Sequence, residues 1–338
     1  MVAHMSELPP LVQALRKPEA YPDPPRDIEL VQTQISYVFL ADDLVYKIKK
    51  PVDFGFLDFT TLEKRRYFCQ KEVELNRRLC PDTYLGVVTI TGENGGFKID
   101  GRGNIEEYAV KMQRLPREAM MDVLLDENKV TPEMLASVAA ILTDFHRQAA
   151  TGGEINTIGG INAVIKNTSE NFEQTAKHVG SIIPRETYQR IKDYTEGLIQ
   201  ENASLFHKRE EEGRIRDCHG DLHAAHICFG DKICIYDCIE FIDRLRYTDV
   251  AAEVAFLAMD LDHYDRRDLS ASFVDAYVTK SDDGELIQLL DFYKCYRAYV
   301  RGKVGCSQYE DTHIPATEKE AILANTQSYF RLAESYIR

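Results

Sequence analysis

The residues best placed to do chemistry lie in one run, Cys218-His219-Gly220-Asp221-Leu222-His223-Ala224-Ala225-His226-Ile227-Cys228, followed shortly by Ile235-Tyr236-Asp237. A carboxylate sits in a tight polar loop, a metal-ligand-type side chain follows five residues later, and a second carboxylate ends the next apolar run. Phosphoryl transfer needs this inventory: a carboxylate to orient or deprotonate a hydroxyl, beside ligands for a cation that bridges nucleotide phosphates, because most of the catalysis is positioning and charge neutralisation. Residues 226–229 and 233–236 are β-prone, and Gly230-Asp231-Lys232 between them has turn chemistry, which predicts a β-hairpin. Such a hairpin returns Asp237 to the edge where His226 begins, close to Asp221.

The rest of the chain must supply the frame for that loop. Residues 31–40 and 44–49 alternate or run apolar around Asp42-Asp43, a second hairpin. Residues 61–79 carry apolar positions among many charges and read as an amphipathic helix ending before Pro81. Strands follow at 86–91, 97–99 and 107–112. After Arg114-Leu115-Pro116 the pattern turns helical, with candidates at 134–150 behind Pro132, 187–208, 250–260, 269–278, 285–304 and 316–337. Thr151-Gly152-Gly153 and Gly159-Gly160 read as a flexible loop able to cover a substrate. The chain thus divides into residues 1–115, strands plus one helix, and residues 116–338, mainly helical around the hairpin. Met1-Val-Ala-His-Met5 reads as an expression leader with a second start at Met5, outside the fold.

At 338 residues there is material for two cores, since single cores stop growing at roughly 250–300 residues. Hydrophobic content of 44% and charged content of 28% are those of an ordinary globular protein. The net charge of -14 argues against duplex nucleic acid or an anionic membrane as the main partner. No apolar stretch reaches membrane-span length and no signal-peptide pattern opens the chain, so the expected location is cytoplasmic. Eight cysteines in such a chain are weak evidence for disulfides. No Cys-x-x-Cys pair supports a structural zinc site, and Cys228 and Cys234 sit in strand-like runs as small apolar residues.

His-Gly-Asp-Leu-His at 219–223, with Ile-Tyr-Asp at 235–237, resembles the catalytic and metal-binding segments of the aminoglycoside phosphotransferase and choline kinase group. Within it, the chain is most similar to a poorly characterised bacterial branch often fused to a P-loop ATPase domain, through Ser-Tyr-Val-Phe-Leu, Val-Tyr-Lys-Ile-Lys-Lys-Pro-Val-Asp-Phe-Gly, Asp-Cys-Ile-Glu-Phe and Arg-Leu-Arg-Tyr. The resemblance implies an α+β, bilobal protein-kinase-like fold. It implies a cytoplasmic enzyme that passes the γ-phosphoryl group of ATP to a hydroxyl of a small molecule, with Mg²⁺, or alternatively Mn²⁺, as the ion. A separate P-loop ATPase protein is an implied partner. The alternatives are a catalytically weak nucleotide-binding or regulatory module and a protein kinase-like enzyme acting on a macromolecule.

Residue by residue, the resemblance makes Asp221 the catalytic carboxylate and Asp237 the Mg²⁺ ligand. His219 would support the loop, and His223 would shape it or approach phosphate. His226 stands where the family pattern has a metal-binding Asn; imidazole suits transition metals better than Mg²⁺, so a second metal position is open. An N-terminal lobe should supply a lysine for the nucleotide phosphates and a helical glutamate to hold it. Lys47 is the first choice with Lys49 on the same strand face as rival, and Glu72 is preferred to Glu74. Ser36, in a Thr33-Gln34-Ile35-Ser36 segment without glycine, is the candidate phosphate contact. Met112 to Leu115, with Met112 and Arg114, occupies the adenine-hinge position. Glu240 could join the metal site or pair with Arg244 or Arg246. Asp249 is either an anchor between the following helix and the loop or a plain helix-start carboxylate. His146 is read as structural. Asp53-Phe54-Gly55 imitates a metal triplet but lies upstream of the loop, and Gly302-Lys303 lacks the remainder of a P-loop.

Overall fold

The computed structural model describes residues 8–337 apart from 94, 312 and 313, and the leader reading at Met1 to Met5 lies outside them. The chain forms two compact units: the first runs to Ala119 and takes back Cys228–Ile242, and the second comprises Met120–Ile227 and the chain from Asp243 onward.

The first unit is built on an antiparallel sheet of β1 (Ile28–Gln32), β2 (Ser36–Ala41), β3 (Leu44–Lys49), β4 (Tyr84–Glu93), β5 (Gly96–Ile99) and β6 (Asn104–Gln113), in the order β1-β2-β3-β6-β4-β5. The β2–β3 register pairs Ala41 with Leu44 and leaves Asp42-Asp43 as the connection. Asp42 takes a φ of 51°, which aspartate tolerates better than most residues, and its carboxylate accepts from the backbone N–H groups of Arg26 and Asp27. Period two on β3 sorts the side chains. Tyr46 and Ile48 join Phe39, Ile90, Ile99 and Ala109 in an apolar core closed by the short helix α1 (Pro10–Ala14) and by Tyr21. Lys47 and Lys49 go to the opposite face.

That face meets α2 (Leu62–Asn76), capped by the Thr61 hydroxyl, which accepts from the Lys64 N–H at 3.2 Å. The helix lacks a strong apolar stripe and is fixed by polar contacts as well: Arg65 is buried and donates to Glu107 of β6 at 2.8 Å. The strands Ile227–Phe229 and Ile233–Ile235 pair as the hairpin expected around residues 230–232. Two links tie residues 228–242 to α2 and the turn that follows it. Asn76 donates to its own helix at the Glu72 carbonyl and accepts from the Cys238 N–H, and Cys80 forms a disulfide with Cys234 across 4.8 Å between Cα atoms. The bond is a departure from the reading of Cys234 as a small apolar residue; 154 positions separate the two cysteines, so only the fold could pair them.

The second unit contains α3 (Met121–Asp126), α4 (Pro132–Gln148), α5 (Gly153–Gly159), α6 (Ile161–Thr175), α7 (Arg185–Glu201), α8 (Ala203–Glu211), α9 (Asp243–Arg246), α10 (Val250–His263), α11 (Arg267–Ser281), α12 (Leu286–Glu310) and α13 (Ala316–Ser335). Helix α10 is buried on all sides from Val250 to Asp262, the pattern of a core helix. The single helix expected over 187–208 breaks at Asn202. The glycine-marked loop is instead α5 and the start of α6: a Cβ at Gly159 would lie 2.5 Å from the Tyr247 carbonyl oxygen, so this glycine serves close packing. Gly302 and Gly305 have the same use, admitting Phe330 and Thr326 of α13 against α12. No helix among the described residues is long and apolar enough to cross a membrane.

Candidate active site

In the first unit the two strand lysines meet three carboxylates. Lys47 Nζ lies 2.8 Å from Glu72 Oε1 and 2.7 Å from Asp237 Oδ1. Lys49 Nζ donates to Glu72 Oε2 at 2.6 Å and to Glu240 Oε1. Glu72 therefore serves both lysines, and both candidates for the phosphate lysine reach the same glutamate. They differ in access: Lys49 is sealed at 1% exposure, whereas Lys47 and Asp237 retain 15% and 40%. Burial works to lower the Lys47 pKa, yet Asp237 and Glu72 raise it well above the ordinary lysine value. Burial likewise pushes Glu72 up, and the two lysines bring it net below the ordinary range; Glu240 ends above it, since its burial and the Glu72 charge outweigh Lys49. Glu240 is thus a partner of Lys49. Arg244 bonds Asn167 and Glu170, and Arg246 bonds Asp217 and Asp243.

Asp237, two residues past the hairpin strand, takes a left-handed conformation, φ 63°, with its N–H donating to the Tyr84 hydroxyl at 3.3 Å. This turn aims the carboxylate at Lys47. A half-exposed carboxylate is a hard oxygen donor and fits Mg²⁺. Ser36 is fully buried, and its hydroxyl has no hydrogen-bond partner among the described residues; Thr33 and Gln34, by contrast, are exposed. Met112 is buried in β6, the Gln113 N–H donates to the Thr83 carbonyl, and the Arg114 N–H donates to the Asp43 carbonyl at 2.8 Å. Asp53 forms a turn with Gly55, whose N–H it accepts at 2.7 Å and whose φ is 77°.

In the second unit the strands Ile215–Asp217 and Tyr247–Asp249 pair and deliver the chain to His219. From there the loop is held by its backbone. Glu253 of α10 accepts from the N–H groups of His219 at 2.9 Å and Gly220 at 2.6 Å, and from His146 Nε2 at 2.9 Å, while His146 Nδ1 contacts the Tyr277 hydroxyl. Burial alone would raise the Glu253 pKa; the bond from His146 and the nearby His219 bring it down to about 2. Asp260 accepts from the Ala224 N–H, and Arg297 donates to the Gly220 carbonyl. Gly220 has a φ of 89°, which only glycine adopts freely. Glu253 escaped the sequence reading because an acidic residue inside an apolar helix has no motif; its position four residues after Asp249 was the only signal. Asp249 itself caps α10 through the Ala251 N–H and pairs with the buried Arg209.

Asp221 is one-third exposed, with His223 Nε2 and His226 Nδ1 each 3.6 Å from its Oδ2. His219 Nδ1 faces the Asp221 N–H at 3.3 Å, and His226 Nδ1 lies 2.9 Å from the Asp221 carbonyl oxygen. Burial opposes ionisation, but His223, His226 and Arg301 hold the Asp221 carboxyl far below the usual carboxylate range. It is a firm anion, suited to accept a hydrogen bond from a hydroxyl.

An antiparallel sheet carrying a lysine held by a helical glutamate, together with a helical unit whose anchored loop presents an aspartate, defines a protein-kinase-like fold. Among solved structures, a choline kinase of Cryptosporidium parvum superposes with a TM-score of 0.53 over 92% of this chain and 87% of its own, at 10% identity, a likeness of fold. The model of the phosphotransferase enzyme family matches residues 96–290, and the chain belongs to that family. Uncharacterised proteins of Mycobacterium bovis and Mycobacterium tuberculosis are 34% identical over 283 residues, 83% of this chain and 55% of each of theirs. The chain spans about half the length of the curated relatives it matches.

Proposed function

We propose that this chain transfers the γ-phosphoryl group of ATP to a hydroxyl of a small molecule. The observation that carries the reading is the chain of contacts Lys49–Glu72–Lys47–Asp237: it holds one partly accessible ammonium beside one partly accessible carboxylate. Lys47 would neutralise phosphate charge, with Glu72 fixing its position, and Asp237 would hold Mg²⁺. When bound, that ion neutralises the phosphate oxygens. Asp221 would orient the acceptor hydroxyl. Its depressed pKa favours a role as hydrogen-bond acceptor over that of a strong base, which is adequate where the transition state is loose and little proton transfer precedes bond breaking. His219 and His223 would support the loop. Family membership favours transfer over passive nucleotide binding.

The test is ATP consumption by the full chain with Mg²⁺ across hydroxyl-bearing metabolites, with mass gain of one phosphoryl group on the acceptor. Asp221→Asn should lower turnover by roughly a hundred- to ten-thousand-fold while ATP affinity stays nearly intact. Unchanged turnover in that variant would remove Asp221 from the chemistry. ATP binding without transfer to any acceptor would favour a regulatory module.

A further inference from the structure

The Asp221 loop carries, beside the carboxylate assigned to the acceptor hydroxyl, two imidazoles to which the transfer reaction gives no ligand role. Three side chains, the carboxylate of Asp221 and the imidazoles of His223 and His226, bring a ligating atom each to within 4.8 Å of one another. The two imidazoles stand at the same separation, 3.6 Å, from one carboxylate oxygen, too long for a hydrogen bond. Bonds of about 2.0–2.1 Å to a tetrahedral ion would put neighbouring ligand atoms about 3.3–3.4 Å apart; the two carboxylate–imidazole edges are already near that spacing, and the imidazole–imidazole edge, within 4.8 Å, closes by rotation of the rings. The rings of His223 and His226 have centroids 3.9 Å apart and planes tilted by 34°. His223 is buried, Asp221 and His226 are partly exposed, and an ion would have entry from solvent and an open fourth position. The loop backbone is already fixed by Glu253 and Asp260, so the ligands are presented from a rigid segment.

From this geometry we infer that Asp221, His223 and His226 form a site for a divalent transition-metal ion of the Zn²⁺ type, with a donor set unlike the lone carboxylate of Asp237 assigned to Mg²⁺. Two nitrogen donors with one carboxylate suit Zn²⁺, while Mg²⁺ favours an all-oxygen shell. Coordination replaces the present contact between His226 Nδ1 and the Asp221 carbonyl with a metal–nitrogen bond. Arg301, which also acts on Asp221, opposes the added positive charge and weakens the site. Occupancy would take the Asp221 carboxylate out of reach of an acceptor hydroxyl, so the ion would inhibit transfer. That consequence rests on the proposed phosphotransferase reading, whereas the binding does not.

The experiment is titration of the metal-free full chain with Zn²⁺ alone, without nucleotide or acceptor, followed by metal analysis and by the visible spectrum of the Co²⁺ form. One ion per chain is expected, with the d–d bands of a tetrahedral nitrogen and oxygen site. His226→Asn, a substitution of similar size and polarity, should weaken Zn²⁺ binding by at least about 100-fold, the upper end of what loss of an outer-shell partner costs. His223→Gln should do the same, and thermal melting of each metal-free variant near the wild-type value separates lost ligation from lost folding. No stoichiometric uptake, equal uptake by His226→Asn, or sulfur-to-cobalt charge-transfer bands pointing to a cysteine site would each overturn the assignment. Failure of the transfer assay with retained Zn²⁺ binding would count against the phosphotransferase reading alone.

Discussion

The two candidate regions are stabilised by opposite strategies. Around Lys47 charges answer charges: three carboxylates, Glu72, Asp237 and Glu240, share two ammonium groups. Around Asp221 one buried carboxylate, Glu253, holds two backbone N–H groups and an imidazole ring. The first arrangement is redundant, since loss of any one carboxylate leaves each lysine another partner. The second has no substitute, because the amides of a loop cannot turn to find one. A shared network tolerates damage, and a single anchor fixes geometry at the risk of losing it outright.

The sharpest way to break this contrast is Glu253→Ala. It should cost on the order of 3–5 kcal/mol, as loss of a buried anion leaves its donors unsatisfied, read from denaturant midpoints at constant slope. A loss under about 1 kcal/mol would mean that water or another side chain replaces the anchor. Acid sharpens the same point. With its pKa depressed from 4.5 to about 2, Glu253 contributes stability that is fully present above pH 4.5 and is lost as the pH falls from there toward about 2. The contribution amounts to ~3 kcal/mol. The gap in melting temperature between wild type and Glu253→Gln should therefore close below pH 4.5, and a gap that persists to the lowest pH would assign the effect to shape and not charge.

Glu72→Gln should be milder, roughly 1.5–3 kcal/mol, the range for hydrogen bonds to charged groups, since Asp237 and Glu240 still pair Lys47 and Lys49. A loss as large as that of Glu253→Ala, measured in the same denaturant, would contradict the redundancy. Smallest is Thr61→Ala, which removes the cap of the helix carrying Glu72 and should cost ~1 kcal/mol by the same assay.

Local sequence carried much of the frame because hydrophobic period and turn chemistry act over a few residues. The β2–β3 hairpin, the helix before Pro81 and the helical C-terminal stretch were all readable that way. Lys47 and Glu72 were legible only through the resemblance, for a strand lysine and a helix glutamate are ordinary surface residues until the sheet and helix meet. Gly159-Gly160 misled: the dipeptide reads as a loop, yet the reason for Gly159 is the Tyr247 backbone, 88 positions away in sequence, pressed against it. Glu240 misled for a similar reason, its nearest basic neighbours in the chain being Arg244 and Arg246 while its partner is Lys49.

By itself the sequence determined the residue types, the strand-rich and helix-rich halves, and the loop in which Asp221 sits, since each follows from short-range preference and spacing. Tertiary structure alone decided that Glu72 serves two lysines, that Cys80 meets Cys234, and that Glu253 rather than Asp249 holds the loop. Those choices depend on which distant backbones approach within hydrogen-bond reach, and desolvation on burial then gives a few contacts most of their energy.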